Sequence, residues 1–133
     1  MQQLALMGDM PDITAESVIL ALRELRIGLA GQDEAYLSEQ IAVKLRAQHL
    51  PARTEYRFGP HCRADVWVDG VVVEVKKRRP PRAALLSQIE RYAAQASCRE
   101  IVVVLEKSVV LEPMIGGKRV HVVSLNSLWG VAL

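Results

Sequence analysis

Cysteine is scarce in this sequence, with two residues, Cys62 and Cys98, in a chain of 133. Two cysteines are too few for a disulfide framework or for paired Cys-x-x-Cys metal ligands, which favours a reducing compartment. No apolar run approaches the ~20 residues that a membrane helix requires. The first residues also lack the basic and apolar segments of a signal peptide. We therefore expect a cytoplasmic protein that has no membrane partner.

Aromatic residues and net charge are low as well, at 5% of the chain and +2 respectively. The small number of aromatic side chains available for base stacking argues against base-specific recognition by this domain alone. A net charge near zero neither indicates nor excludes a nucleic-acid partner, so only the local distribution of charge is informative. Half of the residues are apolar, and a chain of this length and composition can bury one self-supporting core.

Hydrophobic periodicity and turn residues predict an α/β chain. Amphipathic helices are predicted at 13–30, closing near Gly28 or Gly31, and at 33–50. A further helix is predicted at 80–97, and Gly116-Gly117 indicates a hairpin turn. Strands are predicted at 53–59, 62–68, 71–77, 100–106 and 118–125. The apolar run at 100–106 is typical of a strand buried on both faces.

The segment "RADVWVDGVVVEVK" reads as a β-hairpin around Asp69-Gly70, the strongest short hairpin signal. A two-residue turn there places Val68 opposite Val71 and, further out, Asp65 opposite Glu74. Side chains alternate along a strand. One face of the hairpin is then purely apolar and is predicted to be the core: Ala64, Val66, Val68, Val71, Val73 and Val75. The other face carries the charges: Asp65, Trp67, Val72, Glu74 and Lys76.

Asp65 and Glu74 form an unfavourable pair if they lie directly opposite each other. Like charges with Cβ atoms about 5 Å apart destabilise a sheet. Two carboxylates at this separation are suited to bind a hard divalent cation, and Lys76 would lie beside that cation. The alternative is a solvent-exposed face on which Asp65 and Lys76 form an ion pair of little energetic weight.

These residues resemble the signature of the PD-(D/E)XK nuclease superfamily. Asp65 and Glu74-Val75-Lys76 match its D…ExK pattern, and Gln88 with Tyr92 matches the QxxxY element of RecB-like nuclease domains. The likeness spans about residues 33–125, and Ala64 stands where the family often has proline. It implies a restriction-endonuclease-like αβββαβ core, a mixed central sheet flanked by helices, with an extra N-terminal helix. Residues 1–30 would then be a helical extension and 31–133 the nuclease-like domain.

The resemblance also implies an activity, the hydrolysis of phosphodiester bonds, most readily in DNA. Mg²⁺ or Mn²⁺ would be held by Asp65, Glu74, the Val75 carbonyl and an acid from the preceding helix, while Lys76 and Gln88 would complete the catalytic set. For Gln88, support of the strand end that carries Glu74 and contact with the substrate backbone both remain open, as does a merely structural position.

The helix acid is either Glu34 or Glu39. At about 100° per residue, Glu34 falls near the middle of the stripe formed by Leu37, Ser38, Ile41 and Leu45, whereas Glu39 points about 140° away. We favour Glu34, although an acid in the first helical turn is also explained by the helix dipole.

A basic run, "KKRRPPR", follows the hairpin. Lys77, Arg78, Arg79 and Arg82 are predicted to contact phosphates, and Tyr92 is included in the predicted nucleic-acid-binding set. Such runs also occur as solvated loops or nuclear addresses. Two other functions therefore remain open: a non-catalytic nucleic-acid-binding module, and an assembly module on the same fold. A homodimer built partly on the 13–30 helix is a further hypothesis.

Overall fold

The computed structural model describes residues 13–26 and 33–128, and their fold is α/β. The helices are α1 (Ala15–Leu22), α2 (Glu34–Ala47), α3 (Arg82–Ala93) and the short α4 (Leu125–Leu128). The strands are β1 (Ala52–Gly59), β2 (Cys62–Val68), β3 (Val71–Lys76), β4 (Glu100–Leu105), β5 (Met114–Ile115) and β6 (Lys118–Ser124). The predicted order of elements is confirmed, with β5 and α4 as additions.

The six strands form one mixed sheet in the order β1-β2-β3-β4-β6-β5. β1, β2 and β3 are antiparallel, whereas β3, β4 and β6 run parallel. The connection from β3 to β4 contains α3, as a crossover between parallel strands requires. β4 is buried from Ile101 to Leu105, which confirms the prediction for the apolar run. Gly116 and Gly117, both at positive φ, form the hairpin turn between β5 and β6.

The β2–β3 hairpin has the predicted register near its turn. Asp69 and Gly70 both adopt positive φ, as a type I′ turn demands, and Val68 pairs with Val71. The backbone pairing stops at Val66 and Val73. The predicted direct pairing of Asp65 with Glu74 is therefore wrong. The reason is that the Asp65 carboxylate itself accepts the Val75 N–H, at 2.7 Å, where a backbone carbonyl would normally accept it.

The core has two layers, one on each side of the sheet. The valines of the predicted core face pack with α1 and α2 in the first layer. Val72 belongs to the second layer, against α3, so the charged face of the hairpin is also a core face. Ala64 lies in this second layer, contrary to the prediction that it shares a face with Val66.

The change of face occurs at one level of the sheet in two neighbouring strands, β1 and β2. On β1, Ala52 packs in the first layer, whereas Phe58 packs against the second. Glu55 lies between them with φ of 50°, a left-handed conformation that is uncommon for a residue other than glycine. Such a residue interrupts the regular alternation of a strand. Asp65 is at the corresponding level of β2, which explains why alternation counted from the turn fails for Ala64.

The N-terminal helices pack against the first layer. α1 begins at Ala15, with Thr14 accepting the Ser17 N–H as its cap, and ends at Leu22, well short of the predicted 13–30. The predicted closure at Gly28 or Gly31 lies outside the described residues. The buried positions of α2 are the predicted Leu37, Ser38, Ile41 and Leu45, joined by Ala42. Glu34, by contrast, is exposed, so its predicted place inside the buried stripe is wrong.

The position of Glu34 follows from where α2 begins. Asp33 caps the helix by accepting the Tyr36 N–H at 2.8 Å, so Glu34 is the first helical residue. Its carboxylate accepts the Lys77 N–H, just beyond the end of β3. Within residues 13–26 and 33–128, no helix is long and apolar enough to cross a membrane.

Candidate functional site

Asp65, Glu74 and Lys76 come together beside the end of β3. The hydrogen bond from the Val75 N–H holds the Asp65 carboxylate against β3, where Lys76 and Glu74 are close enough to influence its pKa. The Lys76 ammonium lies 3.2 Å from Glu74 Oε2. The three charged residues that the hairpin pattern singled out are thus neighbours, although Asp65 reaches the cluster through a side-chain contact with the backbone and not through strand pairing.

Glu74 is a buried acid with several hydrogen-bonding partners. Only 4% of its surface is exposed. The Gln88 amide donates to Glu74 Oε2 at 3.0 Å, and the Tyr92 hydroxyl lies 3.2 Å from Glu74 Oε1. Gln88 and Tyr92 stand one turn apart on α3, so this helix supplies both contacts from one side. The QxxxY pair is therefore placed against the glutamate of the ExK element.

The Tyr92 hydroxyl connects Glu74 to the neighbouring strand. It has one proton and two acceptors within reach, the Arg63 carbonyl at 2.9 Å and Glu74 Oε1 at 3.2 Å. It also accepts a hydrogen bond from the Gln88 amide at 3.0 Å. A protonated Glu74 satisfies every group here, because Tyr92 can then donate to Arg63 and accept from both Gln88 and Glu74.

The electrostatics of the cluster make Glu74 a weaker acid than an exposed glutamate. Burial, followed by repulsion from Asp65, raises the pKa of Glu74 to about 7, despite the nearby Lys76 ammonium. Burial also raises the pKa of Asp65, with the Val75 N–H and Lys76 opposing this effect and Glu34 adding to it. Both carboxyl groups thus lack enough compensating positive charge, and a cation between them would relieve the cost.

Glu34 and Glu39 differ in their partners. The Glu34 carboxylate accepts the Lys77 N–H at 2.9 Å and is close enough to raise the pKa of Asp65. Glu39 lies 3.8 Å from Arg46 in an exposed ion pair. Both acids line a cavity of about 250 Å³ that Asp65 also borders. Glu34 is nevertheless the one with contacts to the cluster, and the choice between them as a metal ligand stays a prediction.

The basic run is anchored to the segment that follows β4. The Arg79 guanidinium donates to the Ser108 carbonyl at 2.6 Å, and Arg82 donates to the Val110 carbonyl. Arg78 is exposed. Tyr92, included in the predicted nucleic-acid-binding set, is 2% exposed, so in this structure it faces the buried acid and not the surface.

Two features at the site were missed by sequence reasoning. Glu55, at positive φ, borders the same cavity as Glu34 and Asp65. Lys107 and Ser108 lie across from the basic run. No local pattern marks Glu55. Lys107 could have been anticipated, because parallel β3 and β4 end at the same edge of the sheet, and Lys107 follows β4 closely.

The residues at the cluster fit a magnesium-type ion. Such an ion is commonly held by one or two carboxylates, with water and substrate phosphate completing its shell. Asp65 and Glu74 supply two carboxylates, and the Val75 carbonyl could add an oxygen ligand. Among the described residues, no group of three or more His, Cys, Asp or Glu side chains could hold an ion by themselves. The protein would therefore provide a partial oxygen shell rather than a complete cage.

In comparisons with known proteins, no protein-family model matches this chain. No curated protein and no solved structure matches it either.

Proposed function

We propose that this protein is a divalent-cation-dependent nuclease with a restriction-endonuclease-like core that hydrolyses phosphodiester bonds, most readily in DNA. One observation carries the proposal: a buried acid, a second carboxylate and an ammonium group meet beside the end of β3. Lys76 Nζ lies 3.2 Å from Glu74 Oε2, and Asp65 is tied to the intervening Val75. Folding alone gains little from two acids that both resist ionisation.

Each residue has a distinct part in this proposal. Asp65, Glu74 and the Val75 carbonyl would hold Mg²⁺ or Mn²⁺, with Glu34 as the nearby helix acid. When bound, the cation supplies a Lewis acid that neutralises charge on the phosphate. Lys76 would orient a water molecule or contact the scissile phosphate. Gln88 would position Glu74, since it donates to Glu74 Oε2.

The basic run would contact the substrate backbone. Arg78 is exposed, and Lys77 follows directly on Lys76, so both can approach a phosphate next to the site. Such contacts are independent of base sequence and weaken with salt. Arg79 and Arg82 also hold the segment after β4 and would shape the surface as well as charge it. We also propose a cytoplasmic location, where the free thiols of Cys62 and Cys98 would persist.

The test is a cleavage assay with Mg²⁺ or Mn²⁺ on linear, circular, single-stranded and branched DNA, together with RNA. We expect cleavage by the wild type and its loss in Glu74→Gln and in Asp65→Asn. Glu90→Gln is the matched control, because Glu90 is exposed on α3 and has no part in the proposed site. Cation-independent cleavage, or full activity in Glu74→Gln, would contradict the proposal. Binding of nucleic acid without cleavage would favour a non-catalytic binding module.

A further inference from the structure

A second cavity, of about 460 Å³, lies between the segment after β3 and the segment after β4. Lys77, Arg78 and Arg79 line one side, and residues 105–108 line the other. We call it the 77/107 cavity. Its volume falls within the range of roughly 300–1,000 Å³ typical of small-molecule sites. It is distinct from the 250 Å³ cavity bordered by Asp65 and Glu34.

The 77/107 cavity adjoins the proposed active site. β3 and β4 are parallel, and Lys76 is in register with Leu105. The cavity therefore starts one residue beyond Lys76, at the carboxyl ends of two adjacent strands. This is the edge at which open α/β sheets generally bind their ligands. A group bound there would be a close neighbour of a phosphate held at Lys76.

The charge of the lining is strongly positive. Lys77, Arg78, Arg79 and Lys107 contribute four positive charges and Glu106 one negative charge, a net +3, which exceeds the +2 of the whole chain. Within the described residues, neither Arg78 nor Lys107 has a carboxylate at ion-pair distance. Arg78 and Lys107 thus bring positive charge to the walls that no described carboxylate offsets by direct ion pairing, and a lining of this charge favours a multiply charged anion.

The two walls are fixed relative to one another. Arg79 donates to the Ser108 carbonyl at 2.6 Å and so ties the basic run to the opposite segment. The Glu106 carbonyl accepts the Asn126 N–H at 3.0 Å and the Ser124 hydroxyl at 3.2 Å, which anchors the base of that segment on β6 and α4. The cations therefore surround a defined space rather than lying on an unattached loop.

We propose that the 77/107 cavity binds the terminal nucleotide of a nucleic-acid strand through its phosphomonoester, a specificity that rests on the proposed nuclease function. A terminal phosphate carries a charge of about −1.5 to −2 at pH 7, because its second pKa is ~6. An internal diester carries a single charge. The net +3 lining suits the more highly charged group, and the volume of about 460 Å³ is in the size range of small-molecule sites. The site would thus direct the cluster to a strand end.

The test measures binding of wild-type protein to three oligonucleotides of one sequence in EDTA, by fluorescence anisotropy. One has a 5′-phosphate, one a 3′-phosphate and one no terminal phosphate. We expect one phosphorylated form to bind about tenfold more tightly than the unphosphorylated one, as a charged hydrogen bond would provide. Lys107→Ala should remove most of that preference. Arg119→Ala is the matched control, because Arg119 is exposed where β6 begins, at the other end of the strands.

The outcomes separate this proposal from the nuclease proposal. Equal affinity for all three oligonucleotides would overturn the terminal-phosphate site, and so would an equal loss for all three in Lys107→Ala. Cleavage by the wild type in Mg²⁺ would leave the nuclease proposal standing in either case. Conversely, a phosphate preference that depends on Lys107, without any cleavage in Mg²⁺ or Mn²⁺, would support the site and refute the nuclease.

Discussion

Replacing Glu74 with glutamine should stabilise the protein at alkaline pH when no divalent cation is present. Glutamine keeps the shape of the side chain. Its carbonyl can still accept from the Gln88 amide, and its amide can donate to the Tyr92 hydroxyl oxygen. What the substitution removes is a carboxylate that is 4% exposed and lies close to a second acid, Asp65.

The size of the effect follows from the pKa of Glu74. Burial and Asp65 raise this pKa from 4.5 to about 7 in the folded protein. Each pH unit of difference corresponds to about 1.4 kcal/mol, so ionised Glu74 lowers the free energy of unfolding by about 3 kcal/mol. Below pH 4.5 the acid is protonated in both states and costs nothing. The cost grows as the pH rises from 4.5 through 7 and is constant above.

Urea unfolding in EDTA at pH 5 and at pH 8.5 measures the free-energy cost of ionised Glu74 directly. Glu74→Gln should be more stable than the wild type by about 3 kcal/mol at pH 8.5, and by much less at pH 5. Glu90→Gln, on the exposed side of α3, is the control and should match the wild type at both pH values. A Glu74→Gln variant that is less stable than the wild type at pH 8.5, or an equal difference at both pH values, would show that ionised Glu74 does not destabilise the fold.

A cation should reverse the order of stability. Adding Mn²⁺ at pH 8.5 should stabilise the wild type in proportion to the logarithm of its concentration, because an ion that binds only the folded state shifts the equilibrium by mass action. Glu74→Gln should respond much less, since one of the two proposed carboxylate ligands is gone. An equal response of both proteins would show that the ion binds elsewhere.

Three further predictions concern other residues. Lys76→Ala should retain Mn²⁺ binding in calorimetry but lose cleavage by about 100-fold or more; wild-type cleavage would exclude its catalytic role. Glu100→Gln should lower the free energy of unfolding by about 1 kcal/mol, because a neutral amide oxygen accepts the Ala15 N–H that begins α1 less strongly than the ionised carboxylate does. Burial disfavours ionised Glu100, but the Ala15 N–H and His121 outweigh burial and lower the pKa of Glu100. The loss of stability in Glu100→Gln should therefore shrink as the pH falls below 4.5, and an equal loss at all pH values would contradict this prediction. If α1 forms a homodimer, light scattering should give a dimer mass that Leu20→Glu converts to a monomer mass, because Leu20 is 52% exposed; a monomeric wild type would refute the dimer.

Sequence reasoning succeeded where structure depends on neighbours in the chain. Asp69-Gly70 predicted the turn, because a two-residue loop of type I′ needs positive φ at both positions and these residue types tolerate it. The same turn set the register for Val66–Val68 against Val71–Val73. The continuous apolar run predicted β4 for an equally local reason, since a strand covered on both faces needs no polar alternation.

It failed where a distant residue changes the local geometry. Counting alternate residues from the turn assumes that side chains alternate regularly along the whole strand. Glu55, on β1 at φ 50°, lies at the level where the side chains of β1 and β2 switch from one layer to the other. Asp65 then bonds the Val75 N–H instead of facing Glu74 across a paired ladder. Likewise, Glu34 reaches the cluster by accepting the Lys77 N–H from the far end of β3, a contact that helical periodicity cannot reveal. The sequence singled out Asp65 and Glu34, but the positions of their carboxylates depend on contacts with residues distant in the chain.

The residue types in the cluster are better explained by a function than by a contribution to the stability of the fold. Gln88 and Tyr92 satisfy Glu74 well, and a structural network could explain a buried acid. A structural network does not explain Asp65, which adds repulsion, or Lys76, whose side chain is 21% exposed and whose ammonium lies 3.2 Å from Glu74. Apolar residues of similar volume would usually stabilise such a position as well or better. A cluster that raises the pKa of its own acids and leaves a lysine at its rim is suited to bind a cation next to a phosphate.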